Sequence, residues 1–168
     1  FGYRALDVSD DENDNLAIGY DALGGSIDGG EYNTAIGNYV LDANTTGDGN
    51  VAIGYNAMTA NTTGSWNIAI GNAAGYSNTT GSYNSAIGYV ALNTNTTGNY
   101  NTTFGFHSMK ANTTGNENTA VGYKALLSNT TGSYNSAFGL SSLRSNTTGG
   151  YNTGVGVSAL RLNTTGSK

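Results

Sequence analysis

Polar and apolar residues recur along this chain in a 17-residue unit. The tetrapeptide Asn-Thr-Thr-Gly begins the unit at residues 44, 61, 78, 95, 112, 129, 146 and 163. A short apolar run follows it, as in Ser85-Ala86-Ile87-Gly88, and then Ala91 and Leu92. A fixed period in this range is typical of solenoid proteins, in which each repeat forms one rung that stacks on its neighbours.

The unit as a whole favours strands over helices. Aligned on the tetrapeptide, it reads N-T-T-G-x-x-N-x-A-I-G-x-x-A-L-x-x. Gly occurs twice in each unit and costs about 1 kcal/mol at each interior helix position. Short strands joined by turns rich in Gly and Asn fit the pattern better. The sequence therefore predicts an all-β fold, a parallel β-solenoid or β-roll with about ten 17-residue rungs.

Each position of the unit should form a column along the stack. We expect a thin core filled by two large apolar columns, one before the second Gly and one at the later Leu. The first column contains Phe1, Ile18, Ile36, Ile53, Ile70, Ile87, Phe104, Val121, Phe138 and Val155. The second contains Leu6, Leu23, Leu41, Met58, Leu92, Met109, Leu126, Leu143 and Leu160. Ile18 and Ile36 are one position further apart than the other neighbours in their column, which indicates an inserted residue near Gly24.

Small residues also form columns. The Gly that follows Ile in the unit is present in every copy, which indicates a positive φ or a backbone too close for a Cβ. Ala columns, such as the one through Ala69 and Ala86 and the one through Ala74 and Ala91, indicate a second packed face. Identical chains are the simplest partner for that face, so we expect a homotrimer.

Composition supports stacked strands and narrows the function classes. Pro and Cys are absent; Pro would remove a ladder hydrogen bond wherever it occurred, and disulfides and thiolate metal sites need Cys. The net charge of −5 argues against nucleic acid as a partner, because phosphate contacts need a basic face. No apolar run approaches the length of about 20 residues that a membrane-spanning helix needs, so we expect no membrane insertion.

The chain reads as a single array over residues 1–168, with acidic divergent rungs over 1–43 and regular Asn-Thr-Thr-Gly rungs over 44–168. Residues 1–60 carry ten acidic side chains and one Arg, whereas most basic residues lie later in the chain. Both ends fall within a repeat, which favours an excerpt of a longer fibre.

The core of the unit resembles a known family. Asn67-Ile68-Ala69-Ile70-Gly71-Asn72-Ala73-Ala74 is similar to the head repeats of trimeric autotransporter adhesins, and the longer Asn-Thr-Thr-Gly form resembles β-structured repeats of phage tail fibres. The resemblance covers nearly the whole chain and implies a β-roll on a trimeric fibre. The autotransporter repeat is shorter than the unit found here, and the motif is specific for architecture rather than for a ligand.

Aromatic residues form a column two positions after the tetrapeptide. This column contains Tyr32, Trp66, Tyr83, Tyr100, Tyr134 and Tyr151, and a second column contains Tyr3, Tyr20, Tyr55, Tyr89, Phe106 and Tyr123. Stacked rings could bind host-surface glycans through their faces and polar tips. They could equally stabilise the array by stacking between rungs, so both interpretations stay open.

An acidic loop near the start of the chain is the best candidate for an ion site. Asp10, Asp11, Glu12 and Asp14 offer several oxygen ligands, which is what Ca²⁺ requires. Asn15 stands where an EF-hand loop would have its Gly. The alternative is a solvated acidic loop without a cofactor.

Other patterns are weaker. The only histidine, His107, lies in a column that accepts many residue types, and we expect it to face solvent, so the chain is not predicted to be an enzyme.

The Thr pairs allow ice binding as a minor alternative, although a hydrogen-bonded turn ladder explains them. Asn-Thr-Thr is also a glycosylation sequon.

These patterns predict a non-enzymatic structural segment of an extracellular fibre, either a phage tail fibre or a bacterial surface adhesin. Its location would then be extracellular, at a cell surface or a virion surface. The main alternative is a glycan-binding adhesin head that uses the aromatic columns.

Overall fold

The computed structural model describes residues 1–6, 14–26 and 28–167. These residues form nine parallel strands in a single sheet. The strands are β1 (Leu16–Ile18), β2 (Thr34–Ile36), β3 (Val51–Ile53), β4 (Ile68–Ile70), β5 (Ser85–Ile87), β6 (Thr102–Phe104), β7 (Thr119–Val121), β8 (Ser136–Phe138) and β9 (Thr153–Val155). They lie in the sheet in chain order. The chain is a parallel β-solenoid, as the repeat predicts.

Equivalent residues of successive repeats pair with one another. Ala86 of β5 is in register with Ala69 of β4, one repeat earlier. Ala17 of β1 pairs with Ala35 of β2, one position beyond the usual period, which confirms the insertion between them. The Gly19 amide donates to the Phe1 carbonyl at 2.8 Å, so the end of a further repeat stacks on β1. The count of about ten rungs therefore agrees approximately with the structure.

Ladder hydrogen bonds continue outside the three-residue strands. In the tetrapeptide turn, the amide of Thr62 donates to the carbonyl of Thr79 at 2.9 Å. On the far side of the rung, the amide of Leu92 donates to the carbonyl of Ser108 at 3.0 Å. Because so many amides bond to the adjacent rung, a Pro would break a ladder at most positions, which accounts for its absence.

The core is built from small residues on the sheet and large ones opposite it. The central residue of each strand points inward, and Ala86 is only 1% exposed. The Leu and Met column lies on the other side of the interior, and Leu92 and Met109 are 1% and 0% exposed. The second Ala column, which includes Ala74 and Ala91, is buried beside it. The prediction that the Leu column fills the core is confirmed.

The prediction that the Ile column also fills the core is wrong. Ile70 is 36% exposed and Phe104 is 57% exposed, because the ends of each strand point outward while its centre points inward. Successive side chains of a strand alternate between its two faces. The interior is narrow, so Ala on the sheet complements Leu or Met opposite it. The Ala columns therefore do not form the second, outward packed face that we expected.

The Gly that follows each strand meets both expectations for it. Gly71 has a φ of 131°, a region that favours glycine. A Cβ on Gly71 would also lie 2.6 Å from the carbonyl oxygen of Gly88 in the next rung. Either constraint alone would exclude a side chain, and together they fix glycine in the column.

Candidate functional site

Large exposed apolar side chains are concentrated on the outside of the sheet. We call the outward-pointing first and third residues of β1 to β9 the outer face. Its most exposed members include Leu16, Ile18, Ile68, Ile70, Phe104, Phe138 and Val155. The third residue of every strand is apolar, whereas the first is Ser or Thr in six of the nine strands. An apolar column of this kind, exposed along a surface, marks an interaction site.

The aromatic column after the tetrapeptide runs beside the outer face, and we call it the first aromatic row. Its residues are 45–67% exposed, at Tyr32, Trp66, Tyr83, Tyr100, Tyr134 and Tyr151. Each has a φ between 58° and 62°, in the left-handed region. This conformation is costly for a non-glycine residue, so the surrounding ladder must hold it in place.

The backbone ladder fixes the position of these rings. The amide of Tyr83 donates to the carbonyl of Ser65 in the preceding rung at 3.0 Å. The rings of Tyr83 and Tyr100 then stack with centroids 5.0 Å apart and an interplanar angle of 1°. Tyr134 and Tyr151 stack in the same way at 4.8 Å. Stacking between rungs, one of the two interpretations of the row, is therefore present.

Three residues other than aromatics occupy this row in the described residues. Asp14 and Glu117 adopt the same positive φ, at 65° and 54°, and Gly49 has a φ of 63°. At Gly49 the indole of Trp66 lies over the glycine, in the space where a Cβ would be. At Glu117 no ring closes the interval, and a surface notch of about 390 Å³ opens between Tyr100, Glu117 and Thr119.

A second aromatic row borders the other side of the outer face. Phe106 stacks between Tyr89 and Tyr123, with centroid distances of 5.0 and 5.5 Å. Tyr3 and Tyr20 stack at 5.5 Å near the start of the chain. The outer face and its two rows together give one side of the solenoid an apolar and aromatic surface.

The Asn of the tetrapeptide and the Asn before each strand are part of the core, although the sequence pattern predicted only turn residues there. Nδ2 of Asn95 donates to Oδ1 of Asn78 at 2.8 Å and to the carbonyl of Gly98 at 2.9 Å. Nδ2 of Asn84 donates to the same Gly98 carbonyl at 2.8 Å. Two ladders of buried amides therefore converge on the glycine of each tetrapeptide. The signal in the sequence was the presence of both Asn residues in every regular copy.

The ladder bears directly on the glycosylation sequons. Asn44, Asn61, Asn95, Asn112, Asn129 and Asn146 are fully buried, and Asn78 is 2% exposed. A glycan would attach to the Nδ2 atom, which already donates one hydrogen bond in the core at Asn44 and two at each of the others. In the folded chain these sequons are not accessible acceptors.

The two Thr of each tetrapeptide have different environments. Thr79 is partly buried, and its Oγ1 donates to the carbonyl of Thr96 at 3.0 Å, which supports the turn ladder. Thr80 is exposed. The ice-binding alternative would depend on this single exposed column, and it stays a prediction.

Most of the predicted calcium site lies outside the described residues, since Asp10, Asp11 and Glu12 are not among them. Asp14 is described and exposed. Over residues 1–6, 14–26 and 28–167, no three Asp, Glu or His side chains come close enough together to hold a metal ion. The calcium hypothesis therefore stays a prediction.

Two carboxylates in the first rungs, those of Asp21 and Asp42, interact with Arg4. Asp21 is 7% exposed, and its Oδ1 is 3.4 Å from Nε of Arg4. Partial burial, followed by the charge of Asp21, raises the pKa of Asp42, while Arg4 acts in the opposite direction. Repulsion between the Asp21 and Asp42 carboxylates therefore destabilises the N-terminal rungs, and Arg4 offsets only part of it.

His107 does not simply face solvent. Its ring is partly buried, with its centroid 4.1 Å from that of Phe106 and 5.6 Å from that of Tyr89. This burial, followed by the charges of Lys110 and Lys124, lowers the pKa of His107. The imidazole therefore packs as part of the second aromatic row.

Comparisons with known proteins give no family for this chain. No family model matches it, and neither a curated protein nor a solved structure matches it. The described residues include no helix of the length and apolar character needed to cross a bilayer. The resemblance to trimeric autotransporter repeats stays a prediction, and function must be inferred from the surfaces of the solenoid.

Proposed function

We propose that this chain is a non-enzymatic structural segment of an extracellular fibre, of the phage tail-fibre or bacterial surface-adhesin kind, and that it assembles as a homotrimer. The observation that carries the proposal is the outer face, with an apolar column that runs the length of a rigid, ladder-bonded rod. Such a rod suits the shaft of a fibre, because hydrogen bonds join each rung to the next around its contour.

The area of this surface supports association with identical chains. Nine strands of three residues, at ~4.8 Å between strands and ~3.3 Å per residue, give a strip of roughly 400 Å². The flanking aromatic rows raise this to roughly 800 Å², which is the area that one partner contributes to a standard interface. The face is also free of charged residues on β1 to β9, so its burial would leave no unpaired charge.

The mass of the assembled chain tests this proposal. Light scattering or sedimentation should give three times the chain mass, and Ile87→Lys with Phe104→Lys should convert the trimer to monomers. Tyr76→Lys is the matched control, because Tyr76 is 40% exposed but lies outside the outer face and both rows. A native chain that is monomeric at high concentration would contradict the trimer.

A second candidate function is glycan binding by the first aromatic row. The observation that favours it is the exposure of rings that the backbone holds in a costly conformation. Rigid exposed rings lose little entropy on binding, and their faces suit the apolar side of a sugar. A glycan array that compares the native chain with Tyr83→Ala/Tyr100→Ala separates this candidate from a shaft, since a shaft should bind none of the glycans.

A further inference from the structure

The basic residues of the later rungs have few acidic neighbours. Residues 61–168 contain five basic residues and a single acidic one, Glu117. Glu117 belongs to the first aromatic row, where its carboxylate interacts with the Tyr134 hydroxyl. Neither Lys110 nor Lys124 forms a salt bridge with any residue that the structure describes. Their positive charges are therefore available to a ligand.

These two lysines line one groove, on the far side of the second aromatic row from the outer face. The groove has a volume of about 430 Å³. Protonatable and hydroxyl side chains form most of its lining, at His107, Lys110, Lys124, Thr94 and Ser128, beside Leu127. No acidic side chain lies among the residues that line it. An ammonium group donates hydrogen bonds and accepts none, so the groove suits a ligand that accepts them.

The ladder between rungs fixes the backbone of this groove. The amide of Lys124 donates to the carbonyl of Phe106 at 3.0 Å. The amide of Thr94 donates to the carbonyl of Lys110 at 3.1 Å. The ammonium of Lys124 lies 4.8 Å from the centroid of the Tyr123 ring, an attractive contact that restricts its position. Little of the groove would need to be ordered by a ligand, which lowers the cost of binding.

The positive charges of the groove already act on one another. Burial, followed by the charges of Lys110 and Lys124, lowers the pKa of His107. Both ammonium groups therefore lie close enough to the imidazole to oppose its protonation. An anion in the groove would neutralise the ammonium groups and reverse this effect. The chain brings like charges together here without a carboxylate of its own, and an anionic ligand would supply the missing partner.

The positive charge extends from the groove along the axis of the solenoid. Arg144 and Arg161 occupy the same position of the repeat unit as Lys110. Together with Lys124 they give four successive rungs one Lys or Arg each on this side of the chain. At ~4.8 Å between rungs, these charges recur about every 5 Å over roughly 14 Å. A linear ligand with anionic groups at regular intervals fits this row better than a single small anion does.

Anionic glycans and single-stranded nucleic acids both carry such groups, and the rings beside the groove favour a glycan. Proteins bind single strands by stacking the bases on open aromatic faces. The faces of Phe106 are covered by Tyr89 and Tyr123, at centroid distances of 5.0 and 5.5 Å. No face of Phe106 is therefore left for a base. The sulfate and carboxylate groups of a glycan need only the cationic donors of the groove.

We infer that this groove binds a linear anionic glycan, with one sulfate or carboxylate group held between Lys110 and Lys124 and the sugar chain running towards Arg144 and Arg161. The inference goes beyond the proposed function. The site includes neither the outer face nor the first aromatic row, so it depends on neither the trimer nor the second candidate function.

NMR titration of the native chain with three kinds of hexasaccharide provides the test. Hexagalacturonate carries carboxylates alone, a chondroitin sulfate hexasaccharide carries carboxylates and sulfates, and cellohexaose is neutral. At least one anionic sugar should shift the amides of Lys110, Lys124 and Ser128 and raise the pKa of His107, and cellohexaose should do neither. Binding of hexagalacturonate would show that carboxylates suffice, whereas binding of the sulfated sugar alone would identify sulfate as the group recognised. The affinity should fall as salt is added, because salt screens the charges.

Paired variants separate the groove from the net charge of the chain. Lys110→Gln/Lys124→Gln should weaken binding about tenfold or more, because charge-assisted hydrogen bonds are lost. Lys110→Arg/Lys124→Arg keeps both charges and should retain binding. Thr63→Glu/Thr80→Glu is the matched control, because it changes the net charge by the same amount at exposed positions of the tetrapeptide turns. It should also retain binding.

Several outcomes would overturn the inference. If Lys110→Gln/Lys124→Gln binds as well as the native chain, or if Thr63→Glu/Thr80→Glu loses as much affinity, the groove is not the site. Tighter binding of a thymidine oligonucleotide than of either anionic sugar would identify a nucleic-acid site instead. If neither anionic sugar binds, the groove is overturned, while the mass of the assembled chain still tests the fibre and the glycan array still tests the first aromatic row.

Discussion

Nδ2 of Asn95 donates to Oδ1 of Asn78, one rung earlier, at 2.8 Å, and both side chains are buried. This contact repeats along the array and makes a polar ladder part of the core. A buried amide that is fully hydrogen-bonded specifies one register between rungs, because a shift by one residue would leave it unpaired. The asparagines therefore contribute to the accuracy of stacking as well as to its stability.

The first prediction concerns this ladder. Asn95→Asp removes the Nδ2 donor and leaves the carbonyl oxygens of Asn78 and Gly98 short of a partner, which should lower the free energy of unfolding by about 2–4 kcal/mol. Urea denaturation followed by circular dichroism measures the change. Asn99→Asp is the matched control, because its Oδ1 accepts from the Ser82 amide and Asp48 already fills the same role for Glu31. Equal effects of the two variants would contradict the ladder.

The second prediction concerns glycosylation. After secretion from a eukaryotic host, the folded chain should carry no glycan at Asn78, because the Nδ2 atom of Asn78 donates to Asn61 and Gly81 inside the core. Peptide mapping of the folded fraction by mass spectrometry measures occupancy at this site. Thr80→Asn is the positive control: it moves the acceptor amide to an exposed position followed by Gly81 and Ser82, and that site should be occupied. A folded chain with a glycan on Asn78 would show that the ladder is dispensable.

The third prediction concerns a defect in the Leu column. Gly75 stands where other rungs have Leu or Met, and a small, mostly apolar cavity of about 10 Å³ lies beside it, lined by Met58 and Leu92 among others. Gly75 already has the positive φ of this column, at 58°. The double variant Met58→Leu/Gly75→Leu should restore regular packing and stabilise the fold by about 1–2 kcal/mol.

Thermal unfolding measures this gain. A Cβ on Gly75 would approach Cγ of Met58 to 3.2 Å, so the side chain at position 58 has to shift, and the double variant places at both positions the Leu that most rungs of this column carry. Gly71→Ala in the same rung is the contrasting control, since its Cβ would meet the Gly88 carbonyl. It should lower the melting temperature sharply. If Gly71→Ala were tolerated and the double variant were destabilising, the roles assigned to the two glycines would be wrong.

The fourth prediction follows from the acidic N-terminal rungs. Partial burial and the nearby charge of Asp21 raise the pKa of Asp42 in the folded chain. With a raised pKa, Asp42 costs the folded state more free energy to ionise than it costs the unfolded state. Protonated Asp42 therefore favours the folded state, and this contribution to the free energy of unfolding is lost as the pH rises above the ordinary pKa of 3.8. Asp42→Asn should therefore stabilise the chain at pH 7 and lose that advantage at acid pH.

Denaturation midpoints of Asp42→Asn and the native chain, measured from pH 3 to pH 7, test the sign of the effect. Asp28→Asn at an exposed position is the control for net charge. A gain that stayed constant across this range would point to a change in packing and not to ionisation.

The fifth prediction uses the single histidine as a probe. Burial against the aromatic row, together with Lys110 and Lys124, lowers the pKa of His107 below 6.5. The imidazole of His107 therefore binds a proton more readily in the unfolded chain than in the folded one. The free energy of unfolding should decrease as the pH drops below 6.5. An NMR titration of the imidazole needs no assignment, because the chain has one His. Lys124→Gln should move the pKa upward, and a native value at or above 6.5 would contradict the geometry.

Several features of the fold were predictable because they follow from the repeat itself. A constant period with a single inserted residue predicts which residues pair, and Ala17 pairs with Ala35 as that insertion requires. The glycine column, through Gly71 and Gly88, follows from a backbone that cannot accept a Cβ. These constraints act between equivalent positions of adjacent rungs, so one repeat contains the information for all of them.

The candidate site was predictable in part. The positions of Tyr83 and Tyr100 in one row follow from the period, and their stacking follows from the spacing of rungs. The left-handed conformation of these residues does not follow, because it is imposed by hydrogen bonds to the previous rung. The notch at Glu117 needed the structure as well, since Gly49 breaks the row equally in the sequence and yet is covered by Trp66.

The sequence by itself determined the period, the parallel pairing and the residues that share a column, because each depends only on repetition. Only the tertiary structure decided which columns lie inside. Ala86 and Ile87 are both apolar and adjacent on β5, and alternation along a strand places one inside and the other outside without indicating which. The choice depends on the space left by Leu92 and by the two asparagine ladders across a narrow interior. That space admits alanine, and so the larger isoleucine, valine and phenylalanine side chains form the outer face.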